Sequence, residues 1–186
     1  NSKGDWSCDQ VAWDPAINYN TTFTASTGFD GATQGPVWYY QQRYKVNGTY
    51  SNSVNTSNQS GYGDIWWGGT VGNSNWINNN RMHPDDTYDS VRTWIAPQDG
   101  TINITGNVAK SDISNGNGVI ASVLKNSSSL WSQTIAYNDG TGYTTDSSLS
   151  NVSVTAGDAI RFALNNNGDW SADETGWDPN ITYITS

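Results

Sequence analysis

The sequence predicts an all-β chain, an antiparallel β-sandwich of the jelly-roll, galactose-binding-like kind, on three observations. Helix formers are scarce: the 186 residues hold a single Glu, Glu174, and four Lys, with no long run of apolar residues at 3.6 spacing. Apolar and polar residues alternate in several short runs, as in a strand with one buried face. The separators between those runs are rich in Asn, Asp and Gly, the residues that turns require.

In chain order, residues 38–46 form the first expected strand, a mixture of aromatic and polar side chains. Residues 48–86 are nearly devoid of aliphatic side chains and rich in Asn, Ser, Gly and aromatic rings, and they read as loops projecting from the scaffold. Residues 90–95 form the next strand and end at the turn Ala96-Pro97-Gln98-Asp99-Gly100. Ile102 and Ile104 alternate with Asn103 and Thr105, and residues 118–124 are apolar at almost every position, as a central strand would be. Further strands are expected at 130–137, 149–154, 160–164 and 181–185, separated by Asn138-Asp139-Gly140 and Thr155-Ala156-Gly157-Asp158.

Residues 1–22 align without gaps on 165–186, with twelve identical pairs at a constant offset of 164, among them Trp6/Trp170, Asp9/Asp173, Trp13/Trp177 and Asp14/Asp178. The expectation is that residues 1–19 are the tail of a preceding tandem copy and that residues 20–186 form one module. A net charge of −9 and a pI near 4.1 argue against nucleic acid and anionic membrane surfaces as partners. No apolar run approaches the length of a membrane-spanning helix. Cys8 is the one cysteine, so neither a disulfide framework nor a thiolate metal site is possible within the chain. The composition suits a secreted bacterial protein.

The residues that suggest function are aromatic. A pyranose has an apolar C–H face and polar edges, so a sugar site needs a flat ring and a fence of amides and charges. Trp66, Trp67 and Trp76 among Asn73, Asn75, Asn78, Asn79 and Asn80 supply that mixture, with Trp38 and Tyr40 as further plates. In an extended segment Trp66 and Trp67 point to opposite sides, so only one of them can meet a given ligand. Arg81 and His83 are candidate donors to sugar hydroxyls or a uronate. The alternative is a turn in which Asp85 and Asp86 cap backbone amides and pair with Arg81 or Arg92. In the tail, Asp169, Asp173 and Asp178 stand among four acids in ten residues without a base, which suggests structural calcium, a hard cation that accepts carboxylate and carbonyl oxygens. The alternative there is a solvated loop of Asx turns. Catalysis is hard to assemble: there is one His, one Glu and no Gly-x-Ser-x-Gly.

Several stretches resemble non-catalytic jelly-roll modules of secreted bacterial polysaccharide-degrading proteins. They are Gln34-Gly35-Pro36-Val37-Trp38-Tyr39-Tyr40, His83-Pro84-Asp85-Asp86, Ser90-Val91-Arg92-Thr93-Trp94, Gly116-Asn117-Gly118-Val119, Val154-Thr155-Ala156-Gly157-Asp158 and Thr175-Gly176-Trp177-Asp178-Pro179. The resemblance implies a β-sandwich attached to carbohydrate-active enzymes, without fixing a ligand or its contact residues. The expected function is therefore a monomeric carbohydrate-binding module that holds a polysaccharide or oligosaccharide. The rival is a structural or adhesive repeat that binds no glycan.

Overall fold

A computed structural model of the chain describes residues 21–144 and 149–184. The first copy of the repeated tail, residues 1–19, lies outside the described residues, as do 185 and 186.

Among the described residues seventeen strands follow one another: β1 Thr22–Thr24, β2 Trp38–Tyr44, β3 Tyr50–Asn52, β4 Asn55–Gln59, β5 Gly63–Trp67, β6 Trp76–Ile77, β7 Arg81–His83, β8 Tyr88–Ile95 and β9 Gly100–Thr105. Then come β10 Asn107–Lys110, β11 Val119–Lys125, β12 Ser128–Ile135, β13 Tyr143–Thr144, β14 Val152–Val154, β15 Ala159–Asn165, β16 Thr175–Trp177 and β17 Asn180–Ile184. All described pairings are antiparallel.

One layer is a six-stranded sheet in the order β12-β11-β15-β8-β2-β3. The other is formed by a four-stranded sheet, β1-β17-β9-β14, and a seven-stranded one, β13-β10-β16-β7-β6-β5-β4. These two sheets share a bend. Only Gly106 separates β9 from β10, and only Asp178 and Pro179 separate β16 from β17. Gly106 has a φ of +150°, which residues with side chains rarely adopt, and a Cβ there would meet the Pro179 backbone at 3.2 Å, so this crossing favours glycine. Counting β9/β10 and β16/β17 as single bent strands, β8-β15-β11-β12 faces β7/β1, β16/β17, β10/β9 and β14, which is the jelly-roll arrangement.

Alternation supplies the core. The inward residues Val119, Ala121, Val123, Ile160, Phe162, Leu164 and Trp94 of the six-stranded sheet are all buried, as are Ile102, Ile104, Val108, Trp177, Ile181 and Tyr183 opposite. The layers meet through rings: Phe162 lies 5.4 Å from Trp177, Trp94 5.9 Å from Tyr183, and Trp131 6.4 Å from Trp177. Burying one such ring removes about 150–250 Å² from water. The fully buried Arg92 ties the layers together, its Nη1 donating to the Trp177 carbonyl at 2.9 Å and its Nη2 to that of Asn78 at 2.7 Å. Burial lowers the guanidinium pKa to about 10.

The stretch 48–86, expected as projecting loops, instead forms β3 to β7 and supplies four strands of the seven-stranded sheet. Its side chains are poor in aliphatics, but the ladder needs only extended backbone, and Ile65, Trp66, Trp67, Trp76, Ile77 and Met82 all find burial within it.

Candidate functional site

Trp66 and Trp67 follow one another in β5, so they leave the sheet on opposite sides. Trp66 joins the main core, stacked on Tyr40 at 5.9 Å, with its indole N–H donating to the Asp30 carbonyl at 2.7 Å. Trp67 turns outward and forms a separate apolar cluster with Ile65 and Trp76. The register places Trp67 beside Trp76, and Trp76 beside His83, on three neighbouring strands. The rings form a row: Tyr62 meets Trp76 edge-on at 5.6 Å, Trp76 stacks on His83 at 5.8 Å and 25°, and Trp170 meets His83 at 6.4 Å.

Trp66, Trp67 and Trp76, expected as solvent-facing plates, are 5%, 6% and 8% exposed, and Trp38 and Tyr40 are core residues at 5% and 1%. The physical reason is packing: rings on adjacent strands cover one another more cheaply than water covers them. The row is open at its ends, where Tyr62 and Trp170 are each 42% exposed. Beside Tyr62, a cavity of about 180 Å³ is walled by Ile65, Trp67 and Trp76 and fenced by Gln59 and Ser60.

Arg81 and His83 share the outward side of β7. Arg81 Nη1 donates to Glu174 Oε1 at 2.6 Å. The Glu174 charge raises the Tyr62 phenol above its ordinary pKa, which puts Tyr62, Glu174 and Arg81 in one polar group beside the cavity. His83 is half-buried, its Nδ1 hydrogen-bonded to the Pro84 carbonyl at 2.7 Å. Burial lowers its pKa, so the imidazole is neutral at physiological pH and offers a π face. Asp85 caps the amides of Thr87 and Tyr88 at 2.7 and 2.6 Å, as the turn reading expects, whereas Asp86 accepts from the Asn166 side-chain amide at 3.1 Å, Arg81 pairs with Glu174 and Arg92 donates to backbone carbonyls. Asn79 is exposed in the turn between β6 and β7.

The acidic tail does not gather at one point. Asp169 caps the Ser171 amide at 3.0 Å. Asp178 accepts from the Ser26 amide at 2.8 Å and the Ser26 hydroxyl at 2.7 Å. Asp173 is fully buried against Lys110 at 3.3 Å. Burial pushes the Asp173 carboxyl up to about 7 and lowers Lys110, so desolvation outweighs mutual attraction on both partners. Among the described residues, no three His, Cys, Asp or Glu side chains are grouped to hold a metal ion.

Trp170 and Tyr62 are the residues that sequence reasoning undervalued. The recurrence of Trp170 as Trp6 is the signal in the sequence that points to it. A larger cavity of about 400 Å³ lies elsewhere, against β1 and Trp38, and among the described residues no charged side chain lines it.

No protein-family model matches the chain, and no curated protein matches it. Among solved structures, it is similar to the CBM51 module of Clostridium perfringens GH95 in complex with methyl-galactose, at 8% identity and a TM-score of 0.41, covering 87% of this chain and 99% of that one. It is similar to the xylan-binding module CBM15 at 9% identity and a TM-score of 0.41, covering 90% and 99%. It is also similar to pika GITRL at 10% identity and a TM-score of 0.35, covering 81% and 98%.

Proposed function

We propose that this chain is a non-catalytic carbohydrate-binding module of a secreted, multi-domain polysaccharide-degrading protein. In this reading it holds its glycan against the aromatic row. The supporting observation is the pair of exposed rings, Tyr62 and Trp170, at the two ends of a continuous run of aromatic side chains. Gln59, Ser60, the Arg81–Glu174 pair and Asn79 lie on or near the same edge and supply hydrogen-bonding groups around an apolar shelf. The only His and the only Glu of the chain are engaged with its own groups, which fits a binding role better than acid–base work. A module of this kind binds modestly alone, and tandem copies raise avidity through effective concentration.

The burial of Trp66, Trp67 and Trp76 favours a second reading, a spacer or adhesive repeat without a glycan site. Affinity electrophoresis against xylans, mannans, β-glucans, pectins and alginate separates the two. The module reading expects wild-type retardation on at least one polymer and an affinity about tenfold lower in Trp170→Ala and in Tyr62→Ala, equivalent to about 1.4 kcal/mol each. Retardation on none of the polymers supports the spacer.

A further inference from the structure

The cavity of about 400 Å³ opens between the two layers, where β1 faces the start of β2. Its size falls within the range of about 300–1,000 Å³ that small-molecule sites occupy. The cavity beside Tyr62 and one on the outer face of the six-stranded sheet, about 180 and 250 Å³, fall below that range. Phe23, Pro36, Val37 and Trp38 form its apolar wall. Phe23 rests on Trp94 at 5.6 Å and on Tyr183 at 6.3 Å, and Trp38 lies 6.3 Å from Phe162, so the core behind these rings holds them in place.

Two sets of polar groups in this wall have no partner among the described residues. The first is a strand edge, since β1 is the outermost strand of its sheet. The Tyr183 amide donates to the Thr21 carbonyl at 3.1 Å and the Ala25 amide to the Pro179 carbonyl at 3.0 Å, so the odd-numbered residues bond towards β17 and the backbone groups of Thr22 and Thr24 point to the open side. The Thr24 carbonyl is taken by the Gly28 amide at 3.0 Å, which leaves the Thr22 amide and carbonyl and the Thr24 amide beside the cavity. The second is the Trp38 indole N–H. Those of Trp66 and Trp67 donate to the Asp30 carbonyl and the Ser57 hydroxyl, whereas that of Trp38 bonds to no described residue. Its edge forms the wall at Gly28, where a Cβ would come within 2.4 Å of Cδ1 and 2.6 Å of Nε1, so only glycine leaves it open.

These groups select by charge and by hydroxyl. Among the described residues no charged side chain lines the cavity, so a carboxylate or ammonium entering it would lose water without meeting a counter-charge. A hydroxyl both donates and accepts, and it can meet an N–H and a C=O of one strand edge together. The C–H face of a sugar ring suits the Phe23 and Trp38 wall.

We propose that this cleft is a second saccharide site, separate from the aromatic row, and that it takes an uncharged pyranose unit. The Trp38 N–H and the Thr22 and Thr24 amides donate to its hydroxyls, and the Thr22 carbonyl accepts from one of them.

The test is isothermal titration with xylohexaose, cellohexaose, mannohexaose and a galacturonic acid hexamer. It uses a Tyr62→Ala/Trp170→Ala protein, which lacks the exposed rings of the aromatic row, alone and combined with Thr27→Trp or Trp38→Phe. Thr27 is exposed at the rim of the cleft, so an indole there fills it, while Trp38→Phe deletes the N–H and keeps a ring in the core. Melting temperatures confirm that each variant folds. The proposal expects the Tyr62→Ala/Trp170→Ala protein to bind at least one neutral hexamer and not the galacturonate. Thr27→Trp should then weaken binding at least about tenfold, and Trp38→Phe about fivefold, the loss of one hydrogen bond. Absence of neutral-hexamer binding to the Tyr62→Ala/Trp170→Ala protein, equal binding of galacturonate, or full binding in both Thr27→Trp and Trp38→Phe would each overturn the proposal. Binding that Thr27→Trp removes and that Tyr62→Ala and Trp170→Ala leave untouched would overturn the aromatic row instead and support this cleft.

Discussion

On the outer face of the seven-stranded sheet, Trp67, Trp76 and His83 stand side by side on three neighbouring strands; on the outer face of the six-stranded sheet, the row is Ile120, Asn165, Asp89, Arg43 and Tyr50. Both rows arise from the same period of two, and among the described residues neither is covered by a further layer of strands. In the aromatic row the members bury one another, so only the ends, Tyr62 and Trp170, remain exposed. In the polar row the members hold one another by directed hydrogen bonds and line a cavity. An unshielded sheet face thus presents apolar rows by their ends and polar rows along their length.

The largest test of this contrast compares the middle of the aromatic row with its end. Trp76→Ala should cost about 3–5 kcal/mol of stability in urea unfolding, whereas Trp170→Ala at the exposed end should stay within about 0.5 kcal/mol. Equal losses would mean that the row has no interior.

Charge pairs on this side of the molecule offer a second comparison. Lys110→Met strands the buried Asp173 and should cost about 3–5 kcal/mol, while Lys110→Met combined with Asp173→Leu should return to wild-type stability or above. The half-exposed Arg81–Glu174 pair should lose no more than about 1 kcal/mol in Arg81→Gln. A double variant as unstable as Lys110→Met alone would show that the pair holds the fold by its charge.

The pH dependence sharpens the same point. The folded Asp173 pKa is about 7, above its ordinary value of 3.8, so the folded state binds this proton more tightly than the unfolded chain. Its stabilising contribution is full below pH 3.8 and is lost as pH rises through about 7. Urea midpoints at pH 4.5 and 7.5 should therefore fall more steeply with pH for wild type than for the double variant. Identical slopes would remove the burial argument.

The smallest expected effect concerns calcium. With Asp169, Asp173 and Asp178 each directed to its own protein partner, chelator followed by calcium should leave the melting temperature essentially unchanged. Saturation of a real site at one hundred times its Kd would add about 2.7 kcal/mol and be plain in the same melt.

The all-β class and eight of the strands were legible from alternation and turn residues alone. Ile102/Ile104 and Ile160/Phe162/Leu164 declare a buried face because side-chain direction in a strand is fixed locally. So was the opposite orientation of Trp66 and Trp67. The extent of β3 to β7 was not legible, because a Ser-, Asn- and Gly-rich segment becomes a strand only when a neighbouring strand completes its hydrogen bonds. Nor was the burial of Trp67 and Trp76, which depends on partners brought alongside from other strands.

By itself, then, the sequence determined the fold class, the facing of residues in the strands that alternate, such as Ile102/Ile104 and Ile160/Phe162/Leu164, and the presence of aromatic and acidic chemistry. Tertiary structure alone decided which rings meet solvent, that Asp173 answers to Lys110, and that Arg161 reaches Tyr50 across two strands. Exposure and pairing belong to residues far apart in the chain, and no local pattern specifies which neighbours the sheets will supply.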